Sequence, residues 1–249
     1  LVVAAAASLE TFVDVPLVLT SATIDAREAA DAIAAETLHA SGRTYPVEIR
    51  YDESSVEPTD DNLGQRAARA TREALDSAEG DVLVFLPGMK SIRATEAALG
   101  RRSEEILIVH GSQPPEAMRK VFEPSDRRRI YLATNVAETS ITLPGVRIVI
   151  DSGLAKTRIH RAGRAALATI PISQASMEQR SGRAGRVAEG VCIRLWSERF
   201  RPEPYRTPEI ERIELDDLLL QAAELGLNTD DGQDVTWVTS PPTFAVERA

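Results

Sequence analysis

The chain has 249 residues, of which 43% are hydrophobic, and its formal net charge is -9 at pH 7. This length allows one or two domains of the usual roughly 100 to 200 residues, and it excludes a small disulfide-stapled protein. Cys192 is the only cysteine and no Cys and His cluster has zinc-site spacing, so we expect a reducing compartment and a cytoplasmic protein.

The chain opens with an apolar stretch, residues 1–7. It is too short for a membrane span, which needs about 20 apolar residues. It also lacks the basic segment that begins a signal peptide. We therefore expect a core helix here and no contact with a membrane.

Six short runs rich in Val, Ile and Leu predict strands that are buried on both faces. They cover residues 16–22, 81–88, 105–111, 129–135, 146–153 and 190–197. Helical spacing lies between them, at 25–34, 91–99 and 115–123. This alternation predicts an α/β fold with a parallel sheet and helices on both faces. Ligands of such sheets bind at the carboxyl ends of the strands, where we expect Thr20 to Thr23, Pro87, Gly88, Thr134, Asn135, Ser152 and Gly153.

Other segments predict the boundaries of the fold. Residues 156–172 contain two extended segments around "RAG", which predicts a hairpin, and 47–51 alternate in polarity as a half-exposed strand does. A Pro-rich stretch, 199–209, precedes an amphipathic helical region. We expect domain edges near residues 40 and 202.

Charge is unevenly distributed along the chain. Residues 203–249 carry eleven acids and three arginines. Between 156 and 186 the balance reverses, because Lys156, Arg158, Arg161, Arg164, Arg180, Arg183 and Arg186 face only Glu178. Such a basic stripe indicates a polyanionic partner, either nucleotide phosphate or a nucleic-acid backbone. A solvated Arg-rich surface is the alternative.

Five stretches, "TSAT" (20–23), "DVLVFLPG" (81–88), "LATNVAETSITLPGV" (132–146), "DSGLAK" (151–156) and "QRSGRAGR" (179–186), follow one another in this order. Their order and spacing resemble those of the DEAH-box RNA helicases, especially the bacterial HrpA-type members. The resemblance implies a RecA-like fold followed by a short helical, winged-helix-like segment. It implies a remnant of a first RecA-like domain over 1–40, a second RecA-like domain over 41–202, and the beginning of a winged-helix domain over 203–249.

The "QRSGRAGR" stretch carries the candidate catalytic residues. We expect Arg183 and Arg186 one helical turn apart on one helix face, with small residues between them that let a phosphate approach. The resemblance implies that both reach the γ-phosphate of ATP across a domain interface and that Gln179 orders the attacking water. A guanidinium suits this role because it is planar, always charged and bidentate. An Arg-rich helix paired with surface acids is the alternative.

The resemblance also implies residues that couple nucleotide state to domain movement, which are Ser21, Thr23, Ser140 and Gly182. "TSAT" alone is equally well explained as a strand end followed by a helix N-cap. "SGLAKT" (152–157) and "YDESS" (51–55) look like a phosphate loop and an acidic metal pair, but the first lacks a second glycine and the second follows a half-exposed strand.

RNA contacts are expected at several elements. Thr134, Asn135 and Thr139 are uncharged donors that can hold a phosphate, or else they satisfy an ordinary capped turn. Gly88 follows a strand in a common Pro-Gly turn. Phe122 stacks on a terminal base by resemblance, or it is a core side chain. The resemblance also implies that the predicted hairpin, with Arg161 and Arg164, wedges between strands, whereas a plain surface hairpin is the alternative.

Two functions therefore stay open. The first is one motor domain of an ATP-dependent RNA helicase that acts on single-stranded or duplex RNA, with ATP and Mg²⁺ bound in the parent protein. The sequence lacks G-x-x-x-x-G-K-[ST] and an acidic pair after an apolar strand, so we expect a truncated chain that is inactive without a first RecA-like domain. The second is a RecA-like module that binds RNA or a protein without catalysis. We expect a monomer in either case.

Overall fold

A computed structural model describes residues 18, 30–31, 34–38, 45–139, 141–161, 164–205, 207–211, 215–224, 237 and 239–241. Its strands are β1 (Val47–Tyr51), β2 (Asp81–Phe85), β3 (Glu105–Val109), β4 (Arg129–Ala133), β5 (Val146–Asp151), β6 (Leu154–Arg161), β7 (Arg164–Pro171) and β8 (Gly190–Arg194). Its helices are α1 (Leu63–Ser77), α2 (Met89–Leu99), α3 (Pro115–Phe122), α4 (Val136–Thr139), α5 (Gln174–Gly182) and α6 (Asp216–Glu224), and a 3₁₀ turn covers Glu209–Glu211.

Six of the strands form one sheet in the order β1-β8-β5-β2-β4-β3, and every pairing in it is parallel. The predicted α/β class is therefore confirmed. The apolar runs from 81, 105, 129, 146 and 190 are strands that end two or three residues before the predicted ends. The predicted strand at 16–22 and helix at 25–34 lie almost wholly outside the described residues.

Apolar side chains cover both faces of the sheet, as the continuous runs require. In β2, Val82 and Val84 pack in a core with α1 and α2, whereas Leu83 and Phe85 pack in a second core with α3 and α4. Each of these four side chains is at most 1% exposed. Burying a side chain of this size stabilises the fold by about 1.5 to 3 kcal/mol relative to leaving it in water.

The edge strand β1 alternates between half-buried and exposed positions. Val47 and Ile49 pack against the second core, and the charged side chains of Glu48 and Arg50 pair with each other at 2.8 Å in solvent. The predicted half-exposed strand is therefore confirmed. The acidic residues after it are engaged in the fold, since Asp52 pairs with Arg69 at 3.2 Å and Glu53 accepts a 2.6 Å hydrogen bond from the Ser197 hydroxyl.

The hairpin predicted over 156–172 is present as the two-stranded sheet of β6 and β7. The chain divides into two compact units, one of Leu1–Ser41, Arg158–Ala166 and Thr207–Ala249, and one of Gly42–Thr157 and Leu167–Arg206. The six-stranded sheet lies in the second unit. None of the described helices is long and apolar enough to cross a membrane.

Candidate functional site

Three predicted segments meet at the carboxyl edge of the sheet because the strands before them are parallel neighbours. Phe85, the last residue of β2, is in register with Ala133 of β4 and with Asp151 of β5. Two of the loops after these strands are hydrogen bonded to the end of the neighbouring strand: Leu86 N donates to Ala133 O at 2.8 Å, and Ser152 N donates to Phe85 O at 3.2 Å. The structure therefore brings the turn at Gly88, the turn at Thr134 and the segment from Ser152 to one edge.

The turn after β4 places two candidate RNA contacts differently. Thr134 is only 5% exposed, and its amide donates to Val109 O at 3.2 Å. Asn135 is exposed, and its carbonyl accepts from Glu138 N at 2.9 Å, which starts α4. Asn135 is thus the member of this pair whose side chain reaches solvent. Thr139 ends α4, and Ser140 lies outside the described residues.

Helix α5 carries the start of "QRSGRAGR" and is held firmly at its N-terminus. Ser173 is the N-cap, and its hydroxyl accepts from Ser176 N at 3.3 Å. The next two amides, of Gln174 and Ala175, donate to carbonyls of the Pro-rich segment, at Glu203 (2.8 Å) and Pro204 (3.1 Å). These bonds satisfy donors that a helix start otherwise leaves free.

The helix ends earlier than predicted. It stops at Gly182, and the next residues form tight turns in which Arg183 N donates to Arg180 O at 3.1 Å and Ala184 N donates to Ser181 O at 3.0 Å. The expectation that Arg183 and Arg186 share one face of a helix is therefore wrong. Bonds between residues three apart have replaced the helical bonds between residues four apart, so tertiary contacts must set the direction of these two side chains.

Arg180 is the most buried arginine of the motif, with 1% exposure. Its Nη1 lies 2.9 Å from Asp151 Oδ1, and its Nε lies 3.0 Å from Glu138 Oε2. The guanidinium also stands over the Phe85 ring, 4.8 Å from its centroid. Burial acts to lower the pKa of Arg180, but the two carboxylates outweigh it and the pKa is raised. Arg180 therefore belongs to an internal charge network, and assigning it to a stripe that awaits a polyanion was wrong.

Arg183 and Arg186 contact neutral oxygens instead. The guanidinium of Arg183 donates to Ile141 O at 2.9 Å and to Glu138 O, and Arg186 Nη1 donates to the Thr142 hydroxyl at 2.7 Å. Arg183 is 6% exposed, whereas Arg186 is exposed. Burial and the neighbouring Arg186 charge lower the pKa of Arg183 to about 10. Among the described residues, neither arginine forms an ion pair with a carboxylate.

The two glycines of the motif differ in their surroundings. A Cβ at Gly182 would meet no atom within 4 Å, so this position is open. A Cβ at Gly185 would lie 2.5 Å from Tyr45 O and 2.8 Å from Val47 Cγ2. The interpretation that small residues leave room for a partner fits Gly182, whereas Gly185 is small because the chain entering β1 packs on it.

Other candidates lie around this edge. Gly88 is buried beneath Lys156, whose Cδ would stand 3.1 Å from a Cβ added at Gly88. Phe122 is 51% exposed at the end of α3, so the alternative of a core phenylalanine is wrong. Arg161 ends β6 and Arg164 begins β7, while Ser21 and Thr23 lie outside the described residues. Gln179 is half-buried on α5.

Sequence reasoning missed Glu138, whose carboxylate and carbonyl both contact arginines of the motif. Its side chain lines a cavity of about 120 Å³ with Asn135, Ser173, Ser176, Ala155 and residues 170–172. In the sequence, Glu138 is a single acidic residue among the uncharged residues of "NVAETS". This pattern does not reveal that its partner, Arg180, lies 42 positions later. The described residues contain no group of three His, Cys, Asp or Glu side chains placed to hold a metal ion.

Comparison with known proteins gives the family. The helicase conserved C-terminal domain matches residues 65–188. The chain is 42% identical over 242 residues to the ATP-dependent RNA helicase HrpA homolog of Haemophilus influenzae, covering 92% of this chain and 18% of that protein. It is 43% identical over 230 residues to ATP-dependent RNA helicase HrpA of Escherichia coli, covering 86% of this chain and 17% of the relative.

Solved structures agree with the sequence matches. The E. coli DExH-box NTPase HrpB has a TM-score of 0.78 and 32% identity, and a structure titled as the E. coli DEAH/RHA helicase HrpB has 0.80 and 31%. The matches cover 92% of this chain and 29% and 30% of those chains. The chain thus spans less than a third of these relatives' lengths. The predicted RecA-like fold is confirmed, and the chain belongs to the DEAH-box RNA helicase family, of which it carries the helicase conserved C-terminal domain.

Proposed function

We propose that this chain is the second RecA-like motor domain of an ATP-dependent RNA helicase, in which Arg183 and Arg186 face ATP bound by a first RecA-like domain. One observation carries the proposal. Both guanidiniums contact only neutral oxygens among the described residues, those of Glu138, Ile141 and Thr142. An arginine that holds a neutral acceptor can exchange it for a phosphate group, with which it forms bidentate hydrogen bonds strengthened by the attraction of opposite charges.

The arginines would act on the charge that develops during phosphoryl transfer. That charge spreads over the equatorial oxygens of the γ-phosphoryl group, and an arginine supplied by another domain is worth roughly 10³ to 10⁵ in turnover. With its pKa at about 10, Arg183 stays charged at neutral pH. Gln179, half-buried three residues before the end of α5, is placed to order the attacking water in this proposal. Gly182 is open and leaves space for the nucleotide.

The remaining parts of the ATP site belong to the first domain in this proposal. The sequence of this chain does not contain G-x-x-x-x-G-K-[ST], whose amides cradle phosphates. We therefore assign the phosphate cradle and Mg²⁺ to that domain, together with the coupling residues Ser21 and Thr23 at its end and Ser140 in this one. Isolated, the chain is expected to hydrolyse no ATP.

RNA would lie along the carboxyl edge of the sheet. Asn135 offers an exposed amide there, and the exposed Lys156 lies over Gly88; in this proposal Thr134, Thr139 and Gly88 belong to the same contact surface. Contacts of this kind position a phosphate backbone without reading its sequence. Phe122, which is exposed, can stack on a base, and Arg161 and Arg164 sit at the ends of the hairpin strands that would separate a duplex.

The test uses the full-length protein that contains this chain. Arg183→Ala and Arg186→Ala are expected to lower ATP turnover by about two orders of magnitude or more, with RNA affinity unchanged. Arg186→Lys should restore little activity, because an ammonium cannot make the bidentate contact. Arg93→Ala is the matched control, since Arg93 is an exposed arginine on α2 that pairs with Glu96 at 2.7 Å.

The second function, a binding module without catalysis, predicts the opposite pattern. The Arg183 and Arg186 variants would then hydrolyse ATP normally and lose RNA affinity, as measured by fluorescence anisotropy. That outcome would replace the motor-domain proposal with the binding module. Robust hydrolysis by the isolated chain would also contradict the proposal.

A further inference from the structure

We infer that Glu138 is a positioning residue that fixes the catalytic arginine Arg183, and this inference rests on the proposed function. It does so with two different groups. Its side-chain carboxylate holds Arg180 inside the domain, and its backbone carbonyl accepts from Arg183. One residue of the α4 turn thereby contacts two of the three arginines of "QRSGRAGR".

The carboxylate of Glu138 is held on both oxygens. Oε2 accepts from Arg180 Nε at 3.0 Å, and Oε1 accepts from the Ser176 hydroxyl at 2.7 Å. Both donors lie on α5, one turn apart, so Glu138 is clamped against the face of that helix. The side chain of Glu138 is 12% exposed and that of Arg180 1%, so water screens this pair little.

The same residue then sets the position of Arg183. Since α5 ends at Gly182, the helix does not direct the Arg183 side chain, and the two carbonyls of Glu138 and Ile141 do so. Arg186 is held next to them by Thr142. Glu138 therefore supports Arg183 through its carbonyl, and its carboxylate anchors it to α5.

Misplacement of a catalytic group by about 1 Å can cost on the order of 10²-fold in rate. Freeing Glu138 from α5 is expected to lower the kcat of ATP hydrolysis through Arg183. It should leave the KM for ATP nearly unchanged, because the phosphate cradle lies elsewhere. A purely structural role for Glu138 would instead lower the melting temperature and leave the kcat of the folded fraction intact.

The test is a double-mutant cycle in the full-length protein, measured at a temperature where circular dichroism shows every variant folded. Glu138→Gln is expected to lower kcat about ten- to hundredfold. The Glu138→Gln, Arg183→Ala double variant should be no slower than Arg183→Ala alone, because Glu138 acts through that arginine. Asp151→Asn is the matched control: it removes the other carboxylate from Arg180 without changing Glu138, so it should lower stability with a much smaller loss of kcat.

Ser176→Ala covers the case in which Glu138→Gln does not fold. It removes one hydrogen bond from Glu138 without stranding a charge, and it should lower kcat a few-fold with Arg183 present but not in the Arg183→Ala background. The inference is overturned if the two substitutions of either cycle lower kcat by independent factors that multiply, or if folded Glu138→Gln has a normal kcat. Either result leaves the proposed function standing. Normal turnover by Arg183→Ala would remove the proposed function, and the inference with it.

Discussion

Arg180 Nη1 lies 2.9 Å from Asp151 Oδ1, and neither side chain is more than 1% exposed. This pair joins the end of β5 to the last turn of α5, and Gly153 N donates to the same Asp151 oxygen at 2.9 Å. Burying two charged side chains costs free energy unless each one is paired with an opposite charge and hydrogen bonded. The contact therefore constrains which substitutions the domain tolerates.

Arg180→Met is expected to lower the free energy of unfolding by about 3 to 5 kcal/mol, because it leaves the carboxylates of Asp151 and Glu138 buried without a cation. Urea unfolding followed by far-UV circular dichroism measures the loss. Arg93→Ala, which breaks an exposed pair, should cost less than about 1 kcal/mol. A loss as small as this for Arg180→Met would mean that the two carboxylates are not held as a charge network.

Acid should weaken the fold through Glu104. Hydrogen bonds from Arg102, at 3.0 and 3.3 Å, lower the pKa of Glu104 from 4.5 to about 2, outweighing the effect of burial. A carboxylate whose pKa is lower in the folded state contributes its full stability above the unfolded pKa, and the contribution is lost as pH falls toward the folded one. The expected window is therefore between about pH 4.5 and pH 2.

Urea midpoints measured at pH 5, 4 and 3 test this expectation. Glu104→Gln should lower stability at pH 5 and reduce the slope of stability against pH in this range. An unchanged slope would show that other carboxylates dominate acid unfolding. Glu105 is one such group, since hydrogen bonds to Lys120 and Arg129 also lower its pKa.

The sheet could be predicted from the sequence because strands buried on both faces leave an unmistakable continuous apolar run, as in 81–85. The hairpin and the half-exposed β1 were predicted for similar reasons. Helix α1 was missed because its buried face is built largely from small residues such as Ala67, Ala70 and Ala74, which give a weak hydrophobic signal.

The charge network could not be predicted for a different reason. Arg180 meets Glu138 and Asp151 only after the parallel sheet has brought residues 42 and 29 positions apart into contact. Local charge counting placed Arg180 in a basic stripe because it saw only Glu178 nearby. The end of α5 at Gly182 was equally hidden, and so was the packing of Gly185 against Tyr45, which lies far away in the sequence.

Substitution by alanine should lower stability at Gly185 but change it little at Gly182. Gly185→Ala places a Cβ 2.5 Å from Tyr45 O, so the backbone must shift, and overpacking of this kind costs about 1 to 3 kcal/mol. Gly182→Ala meets no atom within 4 Å and should change stability little. Thermal unfolding of the two variants gives the comparison directly. Equal melting temperatures would show that the chain before β1 does not pack on Gly185.

RNA binding is expected to be steeply salt-dependent and insensitive to base sequence. Uncharged donors such as Asn135 and the exposed cation Lys156 would contact the phosphate backbone, and each neutralised phosphate of a single strand lowers the slope of log K against log salt by about 0.7. Anisotropy titrations of the full-length protein with two unrelated single-stranded RNAs at several salt concentrations measure both properties. Lys156→Ala should make the salt slope shallower by about that amount, whereas Asn135→Ala should weaken binding with the slope unchanged. Tight binding to one sequence that persists at high salt would contradict backbone recognition at this edge of the sheet.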